Sequence, residues 1–413
     1  MPVLPFYSLI GIILIFQLLA PVAVRAEEEI LSLAHAESLA LTDAPWLAHH
    51  RSNAEAAAQR VVHESRLPDP QLVLGAINVP TDTWKLDQDD MTMTMVGIRQ
   101  SFPAGDTLAL KGKRAQKELM REEAKFDAER RNLLRQVRQA WLELYFQQES
   151  LRRLQESRRL QQKLLEAAEG RYRAAADMQQ VVIRARQAVA RVNEREPMLK
   201  SAIARTRAQL GRWIGAAATL PLPAALPVLP VPAADFDAAR HPEWLASEAM
   251  RDAARLEVDM ARQDYKPAWM FDLSYGLRRP MPDGTERPNM ATAMVTLDLP
   301  VFRAKRQDRR LAEKLAMESG ARFESEDKRR ELEAMHQSMR AEYDALAARA
   351  KIFEEQLLPA IRREAQVTVA GFARDQTEYR DAQMKALDAE QEYTRVRVDL
   401  AKTQAELLYL TGE

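Results

Sequence analysis

The same order of landmarks occurs twice in this sequence, and this repetition constrains the fold more than any other feature. Four pairs of residues share an offset of 197 positions: Pro45 and Pro242, Pro70 and Pro267, Pro103 and Pro300, and Gly215 and Gly412. Four landmarks at one spacing indicate a tandem duplication. The period is far longer than that of solenoid repeats. We therefore expect two large units, 27–215 and 236–413, to combine into one body.

Each unit contains two strand-like segments around a polar loop. They span about 70–79 and 91–102 in the first unit, and about 268–279 and 290–301 in the second. Within them apolar residues alternate with mostly polar ones, which is typical of strands with one apolar face. The residues predicted to share that face are Leu72, Leu74, Val96, Ile98, Phe102, Trp269, Phe271, Leu273, Tyr275, Val295, Leu297 and Leu299.

These strands have the length that a membrane β-barrel requires. About 9–11 residues suffice for a strand to cross a bilayer, and a hairpin with one apolar face is unstable alone. Open sheet edges cannot lie in lipid, so four strands must close with strands from other copies.

Helical patterns account for most of the remaining sequence. One long helix is predicted at about 104–174, where a heptad seam favours a coiled coil, and a second at about 304–370, bent at Pro359. Turns near 174–180 and 371–379 lead into the last helix of each unit. The five prolines of 216–235 predict an extended linker that is not part of a core.

The N-terminal residues 1–26 read as a secretory signal peptide. An apolar run from Phe6 to Ala20 precedes Val24-Arg25-Ala26, which fits a cleavage site. Because the segment before the apolar run has no Lys or Arg, an uncleaved membrane anchor is the alternative. The chain has no Cys, which excludes disulfides and a lipid anchor on cysteine.

The sequence offers no catalytic motif, so we predict neither an enzyme nor a bound cofactor. Lys and Arg balance Asp and Glu at 60 each, which gives no bias toward nucleic acid. The glycines from Gly105 to Gly112 lack the spacing of a phosphate loop. The six histidines form no metal-binding pattern, and the adjacent His49 and His50 are predicted to be solvated.

Together, the signal peptide, twin hairpins, twin long helices and proline-rich linker resemble the outer-membrane efflux channel family typified by TolC. The local signatures are Gln100-Ser101-Phe102-Pro103, Leu297-Asp298-Leu299-Pro300, and the ends of the two units at 210–215 and 407–412. The resemblance implies a mainly α protein with membrane β-structure, in which a homotrimer forms a helical coiled-coil barrel topped by a 12-stranded β-barrel. It also implies that the helices lie in the periplasm of a bacterial cell and that the barrel lies in the outer membrane.

The partners implied by the resemblance are a periplasmic adaptor and an inner-membrane pump, for which we predict the RND type. Because each hairpin then begins and ends at periplasmic helices, the loops at 80–90 and 280–289 should lie outside the cell. A periplasmic adaptor protein is the main alternative, but it would have one helical hairpin flanked by soluble β domains. A purely structural coiled coil would not explain the alternating strands.

Two groups of residues are candidate sites. At the far tip of the helices, Asp177, Asp375 and Glu378 are predicted to form an acidic ring around the trimer axis, gated by Arg374 or Arg173 of a neighbouring copy.

The second group lies opposite the apolar face of the strands, toward the lumen. It consists of Met91, Met93, Met95, Arg99, Met270, Asp272, Met290 and Met294. Thioether sulfur suits Cu(I) and, by the same softness, Ag(I), and the family includes a heavy-metal CusC/CzcC-type branch. The sequence thus raises the hypothesis of metal export. The alternatives are that Met merely fills a narrow barrel and that the channel exports drugs or other organic solutes.

Overall fold

The protein consists of two helical units joined by one antiparallel sheet. The computed structural model describes residues 30–371 and 376–412. The first unit contains α1 Leu33–Asp43, α2 Pro45–Glu64, β1 Gln71–Ile77, β2 Met93–Phe102, α3 Thr107–Arg173 and α4 Gln179–Ile214. The second contains α5 Pro242–Gln263, β3 Trp269–Leu277, β4 Met290–Leu297, α6 Gln307–Ile352, α7 Leu358–Gly371 and α8 Gln376–Thr411. The predicted combination of tandem helical units with β-hairpins is confirmed.

Paired landmarks have the same structural role in both units. Pro45 and Pro242 both stand in the first turn of a helix, where a missing N–H costs nothing. Gly215 and Gly412 follow the last helix of each unit with φ of +60° and +87°. Only glycine adopts such φ values readily. The last helix of each unit therefore ends in the same way, at a glycine with positive φ.

The long helix α3 is the element on which most of the other helices pack. Its 67 residues give a length of about 100 Å. It contacts α2 and α4 of its own unit, and α5 and α8 of the second. Several residues of the predicted seam, including Leu133, Val137 and Leu144, are buried in the main core.

Ion pairs reinforce the contact between α3 and α8. Glu143 of α3 binds both Arg395 and Lys402 of α8. Burial alone would raise the pKa of Glu143, but the hydrogen bond from Lys402 and the two positive charges hold it below its ordinary value. The carboxylate therefore stays charged and joins the two units.

The second long helix is interrupted where a proline was expected to bend it. A π-helical turn spans Phe353–Leu357 between α6 and α7, and the N–H of Leu358 donates to the carbonyl of Phe353. Pro359 has no N–H to offer the preceding turn, so a wider turn just before it reroutes the hydrogen bonds. The irregularity thus lies slightly N-terminal to the predicted position.

The linker at 216–235 differs from its prediction, because part of it belongs to the main core. Leu229 is 7% exposed and lies in the same cluster as Trp141 and Leu408. The phenol of Tyr145 donates to the carbonyl of Ala224 at 3.0 Å, and Gln404 donates to that of Leu229 at 3.0 Å. Proline kept the backbone extended, but the leucines between the prolines still bury their side chains.

A buried histidine begins α5 and was not singled out by the sequence pattern. His241 is 1% exposed, and its Nδ1 accepts a hydrogen bond from the N–H of Glu243 at 3.3 Å. Its ring meets that of Tyr409 edge-on, with centroids 5.2 Å apart. Burial above all, with a smaller contribution from Arg131, lowers the pKa of His241 to about 4, although the Glu243 carboxylate opposes this.

Neutral His241 should make the helical region sensitive to acid. The unfolded chain binds this proton below about pH 6.5, whereas the folded chain does so only near pH 4. Folding therefore loses about 2 kcal/mol by pH 5 on account of this one group. We expect H241N, which keeps a cap acceptor but does not titrate, to lose less stability than the wild type between pH 7 and 5 in thermal unfolding. Equal losses in both proteins would contradict this assignment.

Candidate functional site

The four strands form one sheet in the order β1-β2-β3-β4, with every neighbouring pair antiparallel. The pairing of β2 with β3 joins the two units, and it places Ile98 opposite Leu273 and Arg99 opposite Asp272. Strands β1 and β4 each have a neighbour on one side only, so both edges of the sheet are open in the single chain.

One face of this sheet is apolar and exposed along all four strands. The register aligns Leu72 with Ile98, Ile98 with Leu273, and Phe271 with Val295. Eleven of the twelve residues predicted for this face are exposed, from 37% for Phe271 to 71% for Leu299. The twelfth, Phe102, is half-buried because its ring stacks on Trp269 with centroids 4.0 Å apart. Such a surface requires a cover that a single chain does not supply.

The opposite face carries the methionines together with the two charged residues of the strands. The register places Met93, Met95, Arg99, Met270, Asp272, Met290 and Met294 on this face. Met91 lies before β2, in the loop, and is half exposed. The guanidinium Nε of Arg99 lies 2.7 Å from a carboxylate oxygen of Asp272.

Two glycines allow side chains to lie flat on this face. A Cβ on Gly276 would stand 2.5 Å from the sulfur of Met93, and a Cβ on Gly97 would stand 2.7 Å from the Cβ of Ser274. The thioether of Met93 therefore packs over the backbone of the neighbouring strand. This packing was not evident from the sequence, where a glycine in a strand indicates only a close approach.

The loops of the two hairpins are bound to each other by buried arginines. The side chain of Arg278 is 4% exposed and pairs with Asp90 at 2.5 Å. Arg287 donates to the carbonyl of Asp89 in the first loop and to that of Arg279 in its own loop. Sequence reasoning missed both residues, because an arginine in a polar loop looks like any solvated charge.

At the ends of the helices away from the sheet, the structure describes two of the three acidic residues predicted for the ring. Asp177 lies between α3 and α4 and pairs with Arg171 of the same chain at 2.8 Å. Glu378 lies exposed in the first turn of α8. Arg374 and Asp375 lie outside the described residues, as does the predicted signal peptide at 1–26.

Other candidate sites receive no support among the described residues. Within 30–371 and 376–412, no group of three or more His, Asp or Glu side chains is arranged to hold a metal ion. Over the same residues, no helix combines the length and apolarity needed to cross a membrane. His49 is exposed, whereas His50 is half-buried beside Trp46, with ring centroids 4.8 Å apart. The expectation of a solvated pair was therefore wrong for His50.

Comparisons with known proteins agree with this architecture. Residues 238–413 match the sequence family described as outer membrane efflux protein. No curated protein sequence matches the chain.

The fold is shared with solved outer-membrane channels over nearly the whole chain. CusC is 16% identical with a TM-score of 0.76, covering 92% of each chain. VceC, an outer membrane protein of Vibrio cholerae, is 16% identical with a TM-score of 0.76, covering 92% of this chain and 96% of its own. A membrane protein from Pseudomonas aeruginosa is 16% identical with a TM-score of 0.78, covering 92% and 93%. The fold that the resemblance implied is confirmed, and the family match supports the resemblance over residues 238–413.

Proposed function

We propose that this chain, which has the fold of the outer-membrane efflux channels and matches their family over its second unit, forms a homotrimeric exit duct through the outer membrane. The observation that carries this proposal is the exposed apolar face of a sheet with two open edges. Lipid covers such a face, and strands of other copies satisfy such edges. Three copies of a four-stranded sheet make a closed barrel of twelve strands, and the helices continue it as a periplasmic tunnel.

The duct is passive, so its substrates must be delivered by other proteins. We assign it a periplasmic adaptor and an inner-membrane pump of the RND type as partners, with the helices in the periplasm of a bacterial cell. A strain that lacks the gene should become sensitive to the exported compounds. If the protein appears in the soluble periplasmic fraction instead of the outer membrane, the proposal fails.

The position of the loops tests the proposed topology directly. Lys85 and Glu286 are exposed in the first and second loop, and the chain has no native Cys. We expect K85C and E286C to react with a membrane-impermeant thiol reagent on intact cells, because both loops face outward. The wild type has no thiol to label, so it serves as the control for background reaction. Labelling that requires lysis at both positions would reverse the topology.

The substrate we propose is a soft monovalent metal ion, Cu(I) or Ag(I). The five strand methionines share one face of the sheet, which lines the lumen in the proposed barrel. Thioethers bind such ions, and transient contacts would suit passage better than a tight site.

Organic solutes are the second candidate, and the packing of Met93 favours them. Its sulfur lies against Gly276, as expected if methionine fills space rather than binds ions. In this case the methionines only fill space along the lumen, and drug-sized molecules pass without binding to their sulfur atoms.

A triple substitution separates the two candidates. We expect M91L/M93L/M95L to lower copper or silver tolerance of a deletion strain relative to the wild-type gene, because leucine keeps the volume but lacks the sulfur. M178L/M198L/M317L, at three exposed methionines outside the strands, is the matched control. Unchanged metal tolerance, with drug tolerance lost on full deletion, would assign the channel to organic substrates.

At the periplasmic end we propose the acidic ring of Asp177, Asp375 and Glu378, with Arg374 as a gating partner. Three copies of such a turn would concentrate negative charge near the axis and attract cations. The ion pair between Asp177 and Arg171 offsets part of the charge that Asp177 would bring to this ring.

A further inference from the structure

We propose that the ion pair between Arg99 and Asp272 sets the charge selectivity of the β-barrel. The two opposite charges neutralise each other, so that neither cations nor anions are favoured at this level of the barrel. The inference rests on the proposed trimeric channel. It assigns a role to two residues that lie far from the periplasmic tip.

Arg99 and Asp272 are the two charged residues within β1 to β4. The remaining residues of their face are Met, Gly, Ser, Thr, Val, Ile and Gln. The next charged residues of the same parity lie beyond the strand ends: Asp69 before β1, Asp298 after β4, and Arg278 after β3, where it pairs with Asp90. Within the strands themselves, this pair therefore supplies the formal charge.

The pair is held by the backbone as well as by its own contact. Arg99 and Asp272 stand opposite each other in the β2–β3 register, and each comes from a different unit. The side chain of Asp272 is 13% exposed and that of Arg99 is 37% exposed, with 2.7 Å between nitrogen and oxygen. The guanidinium thus covers the carboxylate and presents its own outer edge to the lumen.

The row next to the pair on the loop side is built from small residues. Gly97 stands opposite Ser274 there, with no room for a Cβ on the glycine. Because the larger Arg99 follows in the next row, the pair projects further from the sheet than Gly97 and Ser274 do. Three such pairs in a trimer form one ring of zero net charge.

If one partner of the pair is replaced, the other keeps its charge in each of the three copies, which gives a ring of three like charges at one level of the barrel. Rings of like charge select counter-ions in channels. R99Q leaves three carboxylates and should shift the permeability ratio toward cations. D272N leaves three guanidinium groups and should shift it toward anions. We expect each shift to be roughly threefold or more, in opposite directions.

The test is the reversal potential of single channels of the purified trimer in a planar bilayer under a salt gradient. R99K, which keeps the charge, and R99Q/D272N, which removes both charges, should behave like the wild type. A trimer assay by gel and thermal unfolding of each variant shows that the protein is assembled before its current is recorded.

A labelling experiment tests the position of Arg99 independently of the acidic ring proposed at the periplasmic end. A charged, impermeant thiol reagent added from the loop side should reach R99C and change the conductance. It should not react with I98C, whose side chain lies on the apolar face. Reaction at I98C and not at R99C would overturn the proposed role of the pair, because Arg99 would then face lipid.

The inference and the proposed function fail in different ways. If the wild type forms no conducting pores, the channel function itself is wrong. If it conducts and R99C is modified, but R99Q and D272N keep the wild-type reversal potential, the channel stands and the selectivity role of the pair is overturned.

Discussion

A293R is expected to remove the protein from the outer-membrane fraction, whereas T292R should be assembled normally. The two residues are neighbours in β4, both are small, and both are exposed in the single chain. Ala293 aligns with Leu273 on the apolar face, and Thr292 aligns with Ser274 on the other. An arginine on the lipid face near the middle of a strand costs about 2–4 kcal/mol per copy, and a trimer bears this cost three times.

The measurement is membrane fractionation followed by a gel assay for the assembled trimer. Because the two variants differ by one position along the same strand, charge, size and expression burden are matched. Normal assembly of A293R together with loss of T292R would mean that the faces are reversed, and the proposed lumen would then be the lipid surface.

The faces of the sheet were predictable because strand alternation has a fixed period of two. Once Trp269 and Phe271 are placed on one face, Met270 and Asp272 must lie on the other. The duplication was also predictable from the sequence, because Pro45 and Pro242 both stand in the first turn of a helix, a position that favours proline. The period of a strand and the preference of proline for a helix start both depend on neighbouring residues only, so both can be predicted from the sequence.

Contacts between distant segments were not predictable in the same way. The pairing of Arg278 with Asp90 joins residues 188 positions apart, and nothing in either loop marks the partner. His241 was missed because its burial depends on Tyr409, at the far end of the second unit. Leu229 entered the core against the expectation for a proline-rich segment, because proline restricts φ without preventing side-chain burial.

Another set of distant contacts, to which Leu229 belongs, lies where the N-terminal segment, the linker and the helices α3 and α8 meet. The N–H of Leu31 donates to the carbonyl of Pro221 at 2.9 Å. The indole of Trp141 donates to the carbonyl of Leu31 at 3.0 Å. Through Trp141, the long helix α3 holds both the start of the described chain and the segment that connects the two units.

W141A is therefore expected to destabilise the helical region more than a substitution of any exposed aromatic residue. Trp141 has no exposed surface, and truncating such a side chain costs about 3–5 kcal/mol because a cavity remains. Its hydrogen bond to Leu31 is lost as well. Thermal unfolding of the purified protein by circular dichroism measures the effect, together with digestion of the linker by elastase, which cleaves after the small apolar residues that the linker contains.

Two variants show which interaction matters at this position. W141F keeps an aromatic ring in the core and loses only the hydrogen bond and part of the volume, so it should lie between W141A and the wild type. W84A removes an indole that is 72% exposed and should change stability by about 0.5 kcal/mol or less. If W141A unfolds at the wild-type temperature and its linker resists elastase equally, Trp141 does not hold the linker and the N-terminal segment to α3. The stability of this region would then come from the ion pairs between α3 and α8, and E143Q should lower the unfolding temperature more than W141A does.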